Sequence, residues 1–140
     1  MRNLLLATLL GAGLSLSPAM LRADDAPKLD KTVTGVLIDN HCGDGMVKKD
    51  DPEAAAAKHD KACAMKTACA ASGYSVITGK TQVKLDPTGN AKVKDYLSKE
   101  ENGTRVTVKG DENKDGTMSV TSIEAAPAMK DADMKDMKDK

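Results

Sequence analysis

Three cysteines and two histidines are the residues of this chain best suited to chemistry, and they fall into two short stretches. "DNHCGDG" carries His41 and Cys42, and "HDKACAMKTACAASG" carries His59, Cys63 and Cys69. Four residues apart on a helix, His59 and Cys63 share a face, because each residue advances about 100°. Cys69 stands six residues beyond Cys63, about 120° away around an unbroken helix, so the helix must kink or end near residues 65–67 if the two sulfurs are to meet. Cys42 can fold back onto the same segment from the loop after a first strand. Three thiolates and one imidazole then make a closed tetrahedral set for zinc, with Cys42, His59, Cys63 and Cys69 as ligands. Thioethers from Met46 or Met65 would turn the set toward copper(I). His41 reads first as a turn residue at a strand end and second as an extra ligand.

The spacing leaves other chemistry open. There is no Cys-x-x-Cys, and gaps of 20 and five residues between the cysteines match no common zinc module. In an oxidising compartment the simpler outcome is one disulfide and a spare thiol, with Cys42 joined to Cys63 or Cys69, since the longer loop gains more, roughly 3 kcal/mol. A redox or nucleophilic cysteine is the third reading: His59 beside Cys63, or His41 next to Cys42, could lower a thiol pKa, but no third orienting residue is identifiable.

These residues must be held by a small framework. Residues 31–39, "KTVTGVLID", are β-branched with a period-two tendency and predict a first strand. The stretch "DPEAAAAKHDKACAMKTACAAS" predicts one helix ending near Gly73, with Asp51 as N-cap, Pro52 in the first turn and Glu53 at the positive end of the dipole. "YSVIT" and "TQVKLD" predict a hairpin turning at Gly79 and Lys80. "GNAKVKDYLSKEEN" spaces Val93, Tyr96 and Leu97 as a second amphipathic helix, and "TRVTVKG" and "TMSVTSIEA" close the domain as two more strands. The fold class expected is mainly β with two helices. The order strand, Cys/His helical insertion, strand, strand, helix, strand, strand is that of a small OB-like Greek-key barrel, whose loops after strands one and four form the binding edge. A small α+β sheet that never closes is the alternative.

Composition sets the class and compartment. The N-terminus "MRNLLLATLLGAGLSLSPAMLRADD" has a basic residue, an apolar run of about 13 residues and a polar breaker, the layout of a signal peptide cleaved after Ala23, with Ala19 a second site. That run is short of the ~20 residues needed to span a bilayer as a retained anchor. A soluble periplasmic or secreted product is expected, with no membrane span after cleavage. The chain has 21 basic and 21 acidic residues, and loss of Arg2 and Arg22 leaves 19 against 21. With that balance, two tyrosines and no Phe or Trp, nucleic acid is excluded as a partner. Aromatic poverty also limits the area each core position buries, so a covalent or metal staple would matter to a domain this small. The expected organisation is a signal peptide over 1–23, a linker over 24–31, the OB-like domain over 32–125 with its insertion at 40–73, and a disordered tail over 126–140.

Two motifs invite over-reading. "DENKDG" opens like an EF-hand calcium loop, but Ser122 occupies the position of the bidentate glutamate and strands flank it, so a polar hairpin turn is expected. The tail repeats Met-Lys-Asp at Met129, Met134 and Met137 and reads as a solvated low-complexity segment.

"TGVLIDNHCG", "KHDKACAMKTACAASGYSV", "KLDPTGNAKVKDYL" and "VTVKGDENKDGTMSVTSI" together resemble a group of small exported bacterial proteins of uncharacterised function. The shared features are a cysteine after the first strand, a His and two further Cys before a Ser-Gly-Tyr-like strand start, and a closing hairpin. The resemblance covers about residues 32–124 and implies that Cys42, His59, Cys63 and Cys69 are a common polar set, although the gap between the last two cysteines is wider here than the three residues of the group's commonest pattern. It implies no activity. The function expected is therefore an exported, monomeric binding module and not an enzyme, holding a soft or borderline metal. The competing readings are a disulfide-stapled structural module recognising an envelope partner or small solute, and a thiol-redox protein.

Overall fold

The structure is a computed structural model and describes residues 30–127. The expected signal peptide, most of the expected linker and nearly all of the Met/Lys/Asp tail lie outside the described residues. Five strands, β1 (Asp30–Asp39), β2 (Tyr74–Thr78), β3 (Thr81–Lys84), β4 (Arg105–Glu112) and β5 (Met118–Ala125), form one mainly antiparallel sheet in the order β3-β2-β1-β4-β5. All five expected strands are present, and β1 starts at Asp30, one residue earlier than expected. Between the sheet edges, Leu85 bridges Met118 in parallel and Asp86 N–H donates to the Met118 carbonyl at 3.0 Å.

The β-branched alternation of β4 buries Val106 and Val108 on one face, and β5 adds Met118 and Val120. They meet Val33, Leu37, Tyr74, Val76, Leu85 and, from α5 (Pro87–Leu97), Val93, Tyr96 and Leu97 in the main core. Helix α5 starts two residues before the expected glycine because Asp86 caps it, accepting from Gly89 N–H at 2.7 Å, and Pro87 suits the first turn. The strands carry two glycines where backbones approach closely. A Cβ on Gly35 would lie 2.2 Å from the Ile77 carbonyl oxygen, and one on Gly110, beside the bulge at residues 109 and 110, would lie 1.9 Å from that of Ser119.

From Val36 to Asp39 the central strand is buried on both faces. The second face is covered by the insertion: Val36, Ile38 and Ile77 pack with Ala56, and Cys42, Met46 and Val47 close the edge of this smaller core. The insertion is not the single helix expected. It consists of α1 (Asn40–Met46), α2 (Pro52–Ala57), α3 (Lys61–Ala64) and α4 (Thr67–Ala71), so there are five short helices among the described residues rather than two. The reason is local capping. Asp39, Asp51 and Asp60 are in non-helical conformations and accept from Cys42, Ala54 and Ala62 N–H groups, each starting a new helix, and Lys66 at φ −58°, ψ 142° separates α3 from α4. The segment "DENKDG" spans the end of β4 and a turn in which Asn113 N–H donates to the Thr117 carbonyl at 2.8 Å and Gly116 has φ +80°. This is the polar hairpin turn expected.

Candidate metal centre

Asp39 ends β1, and two demands fix it there. One carboxylate oxygen, Oδ1, accepts the Cys42 N–H at 3.0 Å and so starts α1. The side chain is wholly buried, because the insertion folds over this end of the strand. The other oxygen, Oδ2, has no hydrogen-bond partner and lies 3.5 Å from His59 Nε2. Both His59 ring nitrogens are likewise buried without a partner. Buried polar atoms are nearly always satisfied, so three unsatisfied atoms at one point are a feature to be explained.

Ligand atoms of Asp39, Cys42 and His59 all lie within 4.8 Å of one another. His59 is delivered by α2, its N–H donating to the Ala56 carbonyl at 2.9 Å just past the helix end. Helix α2 is anchored from beneath. Glu53, 4 % exposed, accepts from Arg105 at 2.8 Å and from Gly79 N–H, tying the helix to β4 and to the β2–β3 turn. The sequence assigns Glu53 only a dipole role. Its buried ion pair depends on a residue 52 positions away.

The other two thiols lie beside this group. Asn40 and His41, at the start of α1, are tied to the end of α4: Asn40 N–H donates to the Gly73 carbonyl at 2.9 Å, Asn40 Nδ2 to the Ser72 carbonyl at 2.9 Å, and His41 N–H to Ser72 Oγ at 3.1 Å. Helix α3 is held by Tyr74, whose hydroxyl donates to the Ala64 carbonyl at 3.3 Å, and by Lys61, whose ammonium donates to the carbonyls of Lys99 and Asn102 at 2.6 and 2.9 Å. Cys69 lies near enough to Cys63 and Cys42 for both to bear on its thiol. All three cysteines are half-buried free thiols. Burial, the Asp39 charge and the neighbouring thiols push Cys42 up to about 11. Burial and the Asp39 charge also raise Cys69, against a lowering contribution from Cys42.

The structure therefore gathers Cys42, His59, Cys63 and Cys69 into one neighbourhood, with the helix broken between Cys63 and Cys69 where sequence geometry required it. The tight group, however, includes Asp39, which sequence reasoning missed. Its signal was a strand-end acid two residues before a His-Cys pair, a pattern equally suited to an exposed turn. Of the extra candidate ligands, His41 is exposed and Met65 is 43 % exposed, while Met46 packs against the smaller core. No helix among the described residues is long and apolar enough to cross a membrane. No family model, curated protein or solved structure matches the chain.

Proposed function

We propose that this chain is an exported binding module that holds a borderline divalent metal ion, zinc foremost, through Asp39, Cys42 and His59. The observation that carries the reading is the 3.5 Å separation of Asp39 Oδ2 and His59 Nε2, both buried and both without a hydrogen-bond partner. Two oxygen or nitrogen ligands about 2.1 Å from a tetrahedral zinc stand about 3.4 Å apart, so the pair is spaced as an edge of that polyhedron. Cys42 completes a face, all its separations falling within 4.8 Å against about 3.6 Å in a finished site. Charge favours a dication: a carboxylate and a thiolate together neutralise zinc, whereas copper(I) would leave a buried negative charge. A thiol raised to about 11 is the opposite of an activated nucleophile, which weighs against the thiol-redox reading at Cys42.

The N-terminal layout of the sequence supports export to the periplasm or beyond, and the strand order with its parallel contact between Leu85 and Met118 supports an OB-like barrel as the framework. In that fold the insertion occupies the loop after strand one, so the metal sits at the binding edge.

Elemental analysis of purified chain after zinc loading and gel filtration tests the reading. One zinc per chain is expected, with D39N, C42S and H59A each retaining less than a tenth and H41A retaining it in full. Full occupancy in D39N and H59A would end the assignment.

A further inference from the structure

Strand β5 is covered at its start and open beyond it. Leu85 bridges Met118 and Asp86 N–H reaches the Met118 carbonyl, but no strand among the described residues pairs with the outer side of residues 121–125. The register says which backbone groups this leaves free. Ala126 N–H donates to the Arg105 carbonyl at 3.0 Å, and Ala125 and Ile123 stand opposite Val106 and Val108. Hydrogen-bonded and non-hydrogen-bonded pairs alternate along an antiparallel ladder, so Ile123 and Ala125 direct their N–H and C=O groups away from β4. The Lys92 ammonium donates to the neighbouring Thr121 carbonyl at 2.8 Å. An edge left open in this way is a template for another strand.

A cleft of about 280 Å³ lies between this edge and α5. Lys92, Asp95, Tyr96 and Lys99 line one side at helical spacing, and Thr121 and Ile123 line the other. Its apolar part is Ile123, half-buried against the main core, and Tyr96, a core residue whose hydroxyl is a buried donor without a partner. Sites that enclose a whole small molecule measure roughly 300–1,000 Å³, so the cleft suits a side chain or two of something larger. Two ammonium groups stand against one carboxylate there, which favours an anionic occupant. A second copy fits poorly, because antiparallel pairing of two β5 edges puts both α5 helices on one face of the joined sheet and sets lysines against lysines.

We propose that β5 and α5 form a docking groove for an acidic, extended segment of another protein, which adds a strand to the sheet beside β5. Its backbone pairs with Ile123 and Ala125, an apolar side chain enters the cleft, and its carboxylates meet Lys92 and Lys99. Backbone pairing and charge together make the recognition tolerant of sequence, so a generic acidic strand is a fair probe. The groove shares no residue with the Asp39, Cys42 and His59 group and stands independently of the metal reading.

The experiment is fluorescence anisotropy on the full chain with a short labelled peptide of alternating valine and glutamate, and a valine–lysine peptide as control. The acidic peptide should bind at least about tenfold more tightly than the basic one, and K92E/K99E should reverse that order. A125P removes one outward N–H, leaves the β4 ladder intact and sits where an edge strand tolerates proline. It should weaken the acidic peptide at least about tenfold with an unchanged circular dichroism spectrum. Amide hydrogen exchange at Ile123 and Ala125 should slow in the complex. Equal binding of the two peptides, no saturable binding of the acidic one up to about 1 mM, or unchanged exchange at those two amides overturns the proposal. The same measurements detect other occupants. Protection of those amides without peptide, released by deleting residues 128–140, would assign the groove to the chain's own tail. A dimer in sedimentation that A125P dissociates would assign it to a second copy. Either result also overturns the proposal.

Discussion

Replacing Arg105 with methionine takes the cation away from a carboxylate that has almost no access to water. Glu53 is 4 % exposed, and Arg105 is its partner at 2.8 Å. Removing one member of a buried pair costs about 3–5 kcal/mol because the remaining charge is uncompensated, against about 0–1 kcal/mol for an exposed pair. The Arg105 side chain is 24 % exposed, so water can partly reach the vacated place, and the lower end, about 3 kcal/mol, applies. In a domain of this size 1 kcal/mol moves the melting temperature by roughly 4–8 °C, so R105M should melt about 12–24 °C below the parent. Methionine keeps much of the apolar stem, which limits the loss to the charge. Urea unfolding followed by far-ultraviolet circular dichroism at neutral pH measures it. The double variant E53Q/R105M should be more stable than R105M, since a neutral amide still accepts from Gly79 N–H and no longer needs a cation. A loss under about 1 kcal/mol in R105M, or a double variant no better than the single, would refute the idea that a buried pair anchors α2.

Three further outcomes follow from the same geometry. Zinc at 100 times its dissociation constant should stabilise the parent by about 2.7 kcal/mol, raising the melting temperature by roughly 10–20 °C, and a scan of D39N should show almost none of that rise. Alanine at Gly110, whose Cβ would fall 1.9 Å from a backbone oxygen, should abolish cooperative unfolding, whereas G45A, in α1 with nothing within 4 Å of the added carbon, should gain about 0.4–1 kcal/mol in the same assay. Burial alone would raise the Asp86 carboxyl, but hydrogen bonds from Ser119, Gly89 and Asn113 outweigh it and hold it below the usual carboxylate value. A folded-state pKa below the unfolded one gives stability that is present above about pH 4 and lost as pH falls through the folded value, so S119A should raise the Asp86 pKa in a carboxyl NMR titration and move acid unfolding to higher pH.

Much of the framework was legible because strand signals are local. Val106 and Val108 alternate with polar residues, Gly79 marks a turn, and Val93, Tyr96 and Leu97 recur at helical spacing, each readable within a few residues. The insertion was read less well. An alanine-rich run from Pro52 to Ala71 satisfies helical propensity throughout, and only the capping by Asp60 and the extended Lys66 divide it. Asp39 was missed for a related reason. An acid at a strand end is ordinarily solvated, and nothing in its immediate sequence reveals that α1 and α2 will close over it.

The sequence by itself determined which segments become strands, which residue types are available for ligation, and that a helix running through Cys63 and Cys69 has to break if their sulfurs are to meet. Only the tertiary structure decided that Asp39 and His59, 20 residues apart, meet as buried side chains beside Cys42, and that Glu53 finds Arg105 beneath them. The physical reason is range. Backbone preference and periodicity act over a few residues, whereas burial depends on every element packed against a site and can be known for a single side chain only once the chain has folded.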